Sequence, residues 1–336
     1  MQFSVFEIFI TLFSSILIVL ALANFLNQLL SGWLFQALKN KRMGGLFILL
    51  VILCFICLTQ LRHSGFLLNK DFISLTIGLI LILLFGTLDD LKKMSWKYQI
   101  SIQSLLALIL ILAGDSIQHI RLPQGEVIFP GILIGIVLTY FWLIIIINSL
   151  NWIDGIDGLA GTVSLITFGT LGFLSLTEKV NQPSTAHLCF AMFFLLILFL
   201  AFNLPPARFY LGTVGIWTLG FLITTVSLYS GGKVATTALV LSIPIFDFVL
   251  VSLERILKGR APVFGGDRLH LHQRLIACGW PAWKVTLFLG AVTAALGIGA
   301  LIFQTANKIF LFLPIALLFF ALALLLLRTQ KPTKKR

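Results

Sequence analysis

Long apolar runs, each interrupted by a short polar or basic stretch, organise this chain from end to end. An apolar run has to reach roughly 17 to 25 residues to cross the hydrocarbon of a bilayer as a helix. By that measure the pattern predicts eleven spans, centred near Ile16, Val51, Ile80, Ala107, Val137, Phe168, Phe193, Thr218, Ile243, Ala291 and Phe319. Several are short, which makes ten the alternative count. The first run has no small-residue cleavage site after it and a core long for a signal peptide, so it is expected to stay as a helix. No long linker, low-complexity tract or internal repeat divides the sequence. The expectation is an all-α, polytopic integral membrane protein with one domain over residues 1–336, a long loop at 255–284 and a basic tail at 328–336.

Composition agrees: 59% of the residues are hydrophobic, 11% are charged and the mean hydropathy is +1.06. A soluble domain is about one quarter charged. The basic residues set an orientation. With the N-terminus outside, eighteen of the twenty-four Lys and Arg fall in inner loops and the tail "RTQKPTKKR". Positive charge favours the cytoplasmic side, so this topology is preferred over its inverse and places the multi-pass chain in the plasma (inner) membrane. The net charge of +12 then needs no nucleic-acid partner, because insertion and contact with anionic lipid or phosphate account for it. Cys54, Cys57 and Cys189 lie inside predicted spans and Cys278 in an inner loop, which argues against a disulfide framework.

In that topology the outer acids are scattered singly, whereas the inner acids cluster. Asp89 and Asp90 close the third span in "LFGTLDDLKKMSWKYQ". Adjacent carboxylates repel, and one tends to keep its proton unless a cation neutralises the pair. Two readings stand: a solvated helix end relieved by Lys92 and Lys93, or a magnesium site or general base, since hard divalent cations choose carboxylate oxygens.

The stretch "NSLNWIDGIDGLAG", residues 148–161, follows the apolar "FWLIIII". Asp154 and Asp157 are three apart, so a helix would put them on one face. Gly155 and Gly158 weaken a helix and admit a close approach to the backbone. Asn148 and Asn151 add amide groups one turn earlier. Ionisable groups at membrane depth are costly and usually functional.

A third stretch, "LKGRAPVFGGDRLHLHQRL" at 257–275, offers Lys258, Arg260, Arg268 and Arg274 as cations, Asp267 as an acid and His270 and His272 as groups titrating near neutrality. The H-x-H spacing suits a transition metal, or a short strand or turn with both imidazoles on one side. With basic residues and carboxylates converging, an anionic phosphate ligand is favoured over zinc. The three stretches together describe a cytoplasmic cleft floored by apolar helices, rimmed by aspartates and ringed by Arg and Lys: a phosphoryl-transfer site for a lipid substrate.

These residues resemble the polyprenyl-phosphate N-acetylhexosamine-1-phosphate transferases from about Gly44 to Gly279. "GTLDDLKKMSWKYQ" resembles the paired-aspartate loop of that family, and "NSLNWIDGIDGLAG" is similar to its N-x-x-N-x-x-D-G-x-D-G-L-A signature. "FNLPPARFYLGTVG" and "IPIFDFVLVSLERILKGRAPVFGGDRLHLHQRL" resemble its later segments, in the form of the O-antigen, enterobacterial common antigen or teichoic acid branch rather than the muramoyl-pentapeptide branch. The resemblance implies transfer of a sugar 1-phosphate from a UDP-N-acetylhexosamine to undecaprenyl phosphate with release of UMP, magnesium as cofactor, and room for a homodimer. It assigns catalysis and the metal to Asp89, Asp90 and Asp157. Lys97, Asn148, Asn151, Asp154, Arg268, His270 and His272 would bind substrate.

Three features depart from the family pattern. Thr213 stands where the family carries an aspartate that ligates magnesium, Ile216 where it has serine, and Gln273 where it has a second histidine. Threonine keeps a neutral oxygen but brings no charge. The alternatives are a metal held by Asp89, Asp90 and Asp157, an enzyme less dependent on metal, or a silent relative that binds lipid phosphate or nucleotide sugar and regulates an active paralogue. A multi-span transporter is the competing class, against which the acids cluster in inner loops rather than at mid-span.

Overall fold

The computed structural model describes residues 5–29, 44–62, 70–121, 126–229, 231–257, 259, 270–303, 308 and 314. Apart from one two-residue antiparallel pair, β1 (Ile120–Arg121) with β2 (Val127–Ile128), the regular structure there is helical. The helices are α1 (Val5–Leu29), α2 (Gly44–Arg62), α3 (Lys70–Leu81), α4 (Thr87–Leu91), α5 (Trp96–Ala113), α6 (Ile132–Ile153) and α7 (Leu159–Leu176). They continue as α8 (Pro183–Asn203), α9 (Gly212–Leu228), α10 (Gly231–Val240), α11 (Ser242–Leu257), α12 (Leu271–Ala277) and α13 (Ala282–Ile302).

Seven of these segments are long and apolar enough to cross a membrane, or eight when the pair α10 and α11, bent by 71°, is taken as one broken span. Two shorter apolar helices, Phe6–Ala21 and α9, complete the ten runs that fall on described helices. The eleventh expected span, near Phe319, lies outside the described residues, as does the basic tail. The protein is an all-helical polytopic integral membrane protein. Large apolar side chains such as Leu112, Ile132 and Leu133 face outward, as a lipid solvent permits.

Helix α9 forms the axis of the bundle, buried along nearly all of its length. It reaches that position through bare backbone. A Cβ on Gly45 of α2 would stand 2.2 Å from the amide nitrogen of Gly215, and one on Gly215 would stand 2.8 Å from the Cα of Gly45. Small residues let membrane helices touch backbone to backbone, where dispersion contacts replace the hydrophobic drive that lipid lacks. On its other sides α9 meets α6, α10 and the end of the third span. Its N-terminus is thereby seated beside Asp89 and Asp90.

Candidate active site

Between α3 and α4 the third span passes through a five-residue π-helical turn, Ile82–Gly86. Such a turn adds a residue to the circuit and rotates whatever follows. The rotation sends the two neighbouring aspartates to different places. Asp89 is 0% exposed. Its Oδ1 accepts the Met94 N–H and the Gln99 side-chain amide, both at 2.9 Å, and its Oδ2 accepts the Thr213 hydroxyl at 2.5 Å. Asp90 turns to the start of α9, where Oδ1 accepts the Thr213 N–H at 2.8 Å and Oδ2 the Val214 N–H at 3.1 Å. First-turn N–H groups have no partner within their own helix and carry partial positive charge, so Asp90 caps α9 from another element.

Asp90 also lines a polar cleft of about 340 Å³ with Lys93, Asn151, Asp154, Tyr210, Gly212 and Thr213. Asp154 ends α6, and its carboxylate takes no hydrogen bond from the described residues. Burial, and then the charges of Asp90 and Asp157, push its carboxyl up to about 8. A cation in the cleft would release that proton.

The segment 154–158 is a turn rather than helix, because Gly158 takes φ +76°, so Asp154 and Asp157 do not share a helix face. Asp157 points away from the cleft toward the loop before α9, where its Oδ2 accepts the Ala207 N–H at 2.9 Å. Its carbonyl accepts the Thr286 hydroxyl of α13 at 3.0 Å. The bare face of Gly155 is met by a side chain rather than left open: a Cβ there would stand 2.4 Å from His272 Nε2.

His270 precedes α12 in extended backbone, and its ring lies parallel to that of His272, 4° apart in plane and 5.8 Å between centroids. Asp247 of α11 fixes the pair, accepting from His270 Nδ1 and from the Leu271 N–H, each at 2.8 Å. Trp152, on the last turn of α6, packs against His270 at 4.8 Å, with the Arg255 guanidinium over its ring at 4.4 Å. The histidine stretch is thus docked against the DGIDG turn. Burial holds the His272 imidazole down at about 4, and its Nε2 is buried without a hydrogen-bond partner.

Several expected site residues are placed elsewhere. Asn148 is buried one turn below Asn151 and spends its amide hydrogens on Gln103 Oε1 and the Ile144 carbonyl, a bond between α6 and α5. Lys97 is exposed over its neighbour Trp96, and Lys93 lines the cleft in its place. Arg268 and Asp267 lie outside the described residues. The set Asp89, Asp90 and Asp157 is not assembled around one point, because Asp89 turns into the protein and Asp157 toward Ala207. Nor do three or more His, Cys, Asp or Glu side chains gather as a metal cage among the described residues. What the cleft does present is two carboxylates, Asp90 and Asp154, and the Asn151 amide. That set fits magnesium, which is commonly held by one or two carboxylates with substrate phosphates and water. Lys93, Tyr210, Trp152 and Gln99 were not singled out from the sequence as site residues; the positions of Lys93 beside the aspartate pair and Tyr210 two before Gly212 were the available signals.

An acidic cleft at the end of a membrane-spanning bundle, bordered by a helix N-terminus and a lysine, is an arrangement that an integral membrane phosphotransferase can use together with a divalent cation. Glycosyl transferase family 4 matches residues 72–231. The chain is 30% identical to the undecaprenyl-phosphate alpha-N-acetylglucosaminyl 1-phosphate transferase of Haemophilus influenzae, with 94% of this chain and 91% of that protein covered. It is 30% identical to the protein of the same name from Pasteurella multocida, covering 87% and 83%. It is 28% identical to a probable undecaprenyl-phosphate N-acetylglucosaminyl 1-phosphate transferase of Bacillus subtilis, covering 79% and 74%. The chain belongs to glycosyl transferase family 4, among the polyprenyl-phosphate N-acetylhexosamine-1-phosphate transferases.

Proposed function

We propose that this protein transfers an N-acetylhexosamine 1-phosphate from a UDP-sugar to undecaprenyl phosphate, releasing UMP, as the first membrane step of a cell-surface polysaccharide. The relatives' names favour N-acetylglucosamine as the sugar. The observation that carries the reading is the meeting of Asp90 and Asp154 in one cleft at the N-terminus of α9. Under the orientation favoured by the basic loops, the cleft opens to the cytoplasm and the chain sits in the inner membrane.

In this reading a lipid phosphate oxygen attacks the β-phosphorus of the UDP-sugar, and the bond to the UMP oxygen breaks. Asp90 and Asp154, with the Asn151 carbonyl, would hold magnesium, which supplies neutralisation of the diphosphate charge when bound. Lys93 adds a cation at the rim for the same oxygens. Asp89 keeps Asp90 in register through Thr213, and Asp157 ties the DGIDG turn to the loop before α9. Neutral His272 and the Trp152–Arg255 stack brace that turn from the other side.

One observation favours a second reading, a silent relative that keeps the cleft without turnover. Thr213 gives a proton donor, not a third carboxylate, to the aspartate pair. UMP release from purified protein with undecaprenyl phosphate, magnesium and a panel of UDP-N-acetylhexosamines separates the two. Release that requires lipid and metal and is lost in Asp90→Asn and Asp154→Asn supports the transferase. Binding of donor or lipid with no release from any sugar supports the silent relative.

A further inference from the structure

Asp247 is the one acid in the apolar stretch "IPIFDFVL" of α11. It is 4% exposed, and a carboxylate held that deep is costly unless its oxygens are matched. Among the described residues no lysine or arginine forms an ion pair with it. Its two oxygens go instead to two neighbouring residues, Oδ2 to His270 Nδ1 and Oδ1 to the Leu271 N–H. The second contact falls at the start of α12, which receives no cap from the side chain of His270, so Asp247 supplies the missing acceptor from another helix.

Each contact begins a route, and both routes end on the same short segment. The first runs through the His270 ring onto Trp152, two residues before Asp154 and next to Asn151. Phe248 meets the same indole at 4.6 Å and Arg255 at 4.4 Å, so α11 holds it directly as well. The second route runs through Leu271 to the next residue of α12, His272, whose ring fills the space against Gly155. Gly155 directly follows Asp154. One buried carboxylate therefore holds contacts on both sides of Asp154, before it at Trp152 and after it at Gly155.

We propose that Asp247 is a positioning residue for phosphoryl transfer: through His270 on one oxygen and Leu271 on the other it fixes the end of α6 and the turn that follows, and so sets the spacing of Asn151 and Asp154 in the cleft. Asp247 itself does not line the cleft. The proposal rests on the transferase reading and deepens it. Partners that orient metal-holding side chains are typically worth about 10- to 100-fold in activity or metal affinity. Because Asn151 and Asp154 would act on charge that develops during transfer, the effect belongs to turnover more than to substrate binding.

The test uses the full-length protein in nanodiscs. Asp247→Leu is expected to lower kcat by about tenfold or more while the KM of each substrate stays within about twofold. Asp247→Asn keeps an acceptor for the Leu271 N–H, so it should recover part of that loss and serves as the second variant should Asp247→Leu fail to fold. Adding His270→Ala to either variant should cost little beyond the larger single loss, whereas adding Lys93→Ala at the cleft rim should multiply the losses. Hydrogen–deuterium exchange supplies a readout apart from activity: residues 151–158 and 271–277 should exchange about tenfold faster or more in Asp247→Leu, with α5 and α9 unchanged. A raised KM at unchanged kcat, losses that multiply with His270→Ala, or unaltered exchange at 151–158 would overturn the proposal. If the wild type releases no UMP, the transferase reading fails on its own; faster exchange at 151–158 would still place the turn under the control of Asp247, and unaltered exchange would remove that as well.

Discussion

The Thr213 hydroxyl donates to Asp89 Oδ2 at 2.5 Å while the Thr213 N–H donates to Asp90 Oδ1 at 2.8 Å, so a single residue holds both members of an adjacent carboxylate pair. One contact depends on the side chain and the other on the backbone. Substitution therefore separates them. Asp89 is wholly buried, and its oxygens are satisfied by donors from Met94, Gln99 and Thr213.

Thr213→Val keeps the shape of the side chain and removes only the hydroxyl. It leaves a buried carboxylate oxygen without its donor, which costs about 2 kcal/mol for a hydrogen bond to a charged group. A clear fall in the apparent melting temperature of the detergent-solubilised protein is expected for Thr213→Val, and little change for Thr213→Ser. Identical melting of all three proteins would show that the short contact contributes nothing to stability.

Thr213→Asp makes the opposite change, placing a third carboxylate against Asp89 where a donor had been. Like charges held this close in a buried site raise one another's proton affinity and strain the fold unless a cation is present. The variant should melt below wild type in EDTA and recover in millimolar magnesium, with a larger magnesium response than wild type. A response no larger than wild type's would mean that the loop before α9 no longer shapes a metal site.

The membrane spans were readable because the bilayer imposes length and apolarity on every segment that crosses it, and ten of the expected runs coincide with described helices. The aspartate pair and the DGIDG stretch were readable for a related reason, since charge at a span end needs a purpose. The direction of each side chain was not readable. Whether Asp89 or Asp90 meets the cleft depends on the π turn at Ile82–Gly86, whose last residue packs against Val214 of α9. Asn148 and Asn151 sit one turn apart in the same motif, yet only a helix placed against Gln103 decides that the first is structural. Gly155 looked like an opening for ligand, and its occupant is an imidazole from a stretch more than a hundred residues later.

That imidazole makes Gly155→Ala informative. The added methyl would stand 2.4 Å from His272 Nε2, so the turn or the ring has to shift. Because Asp154 is the next residue, a displacement of even about 1 Å is expected to lower transfer on the order of 100-fold, with the protein still folded. Adding His272→Ala to Gly155→Ala should restore part of the loss by vacating the space. A double variant no better than the multiplied single losses would place the effect of the methyl elsewhere.

His272 also gives the protein an acid-sensitive element. The ring is 1% exposed. Burial lowers its pKa from 6.5 to about 4, against a raising influence from Asp247 and with a further lowering one from His270. Between those two values the unfolded chain binds a proton that the native chain refuses, so stability falls as pH drops through 6.5 and levels off below about 4. At about 1.4 kcal/mol per unit the loss across the window is on the order of 3 kcal/mol. Glutamine is neutral throughout and fills a similar volume, so His272→Gln should lose less stability than wild type between pH 7 and 4.5 in thermal unfolding. The comparison is between the two curves, which removes the acid sensitivity of the carboxylates common to both proteins. Parallel curves would mean that His272 takes up its proton in the folded protein near the ordinary histidine range, and that the ring packed on Gly155 is open to water.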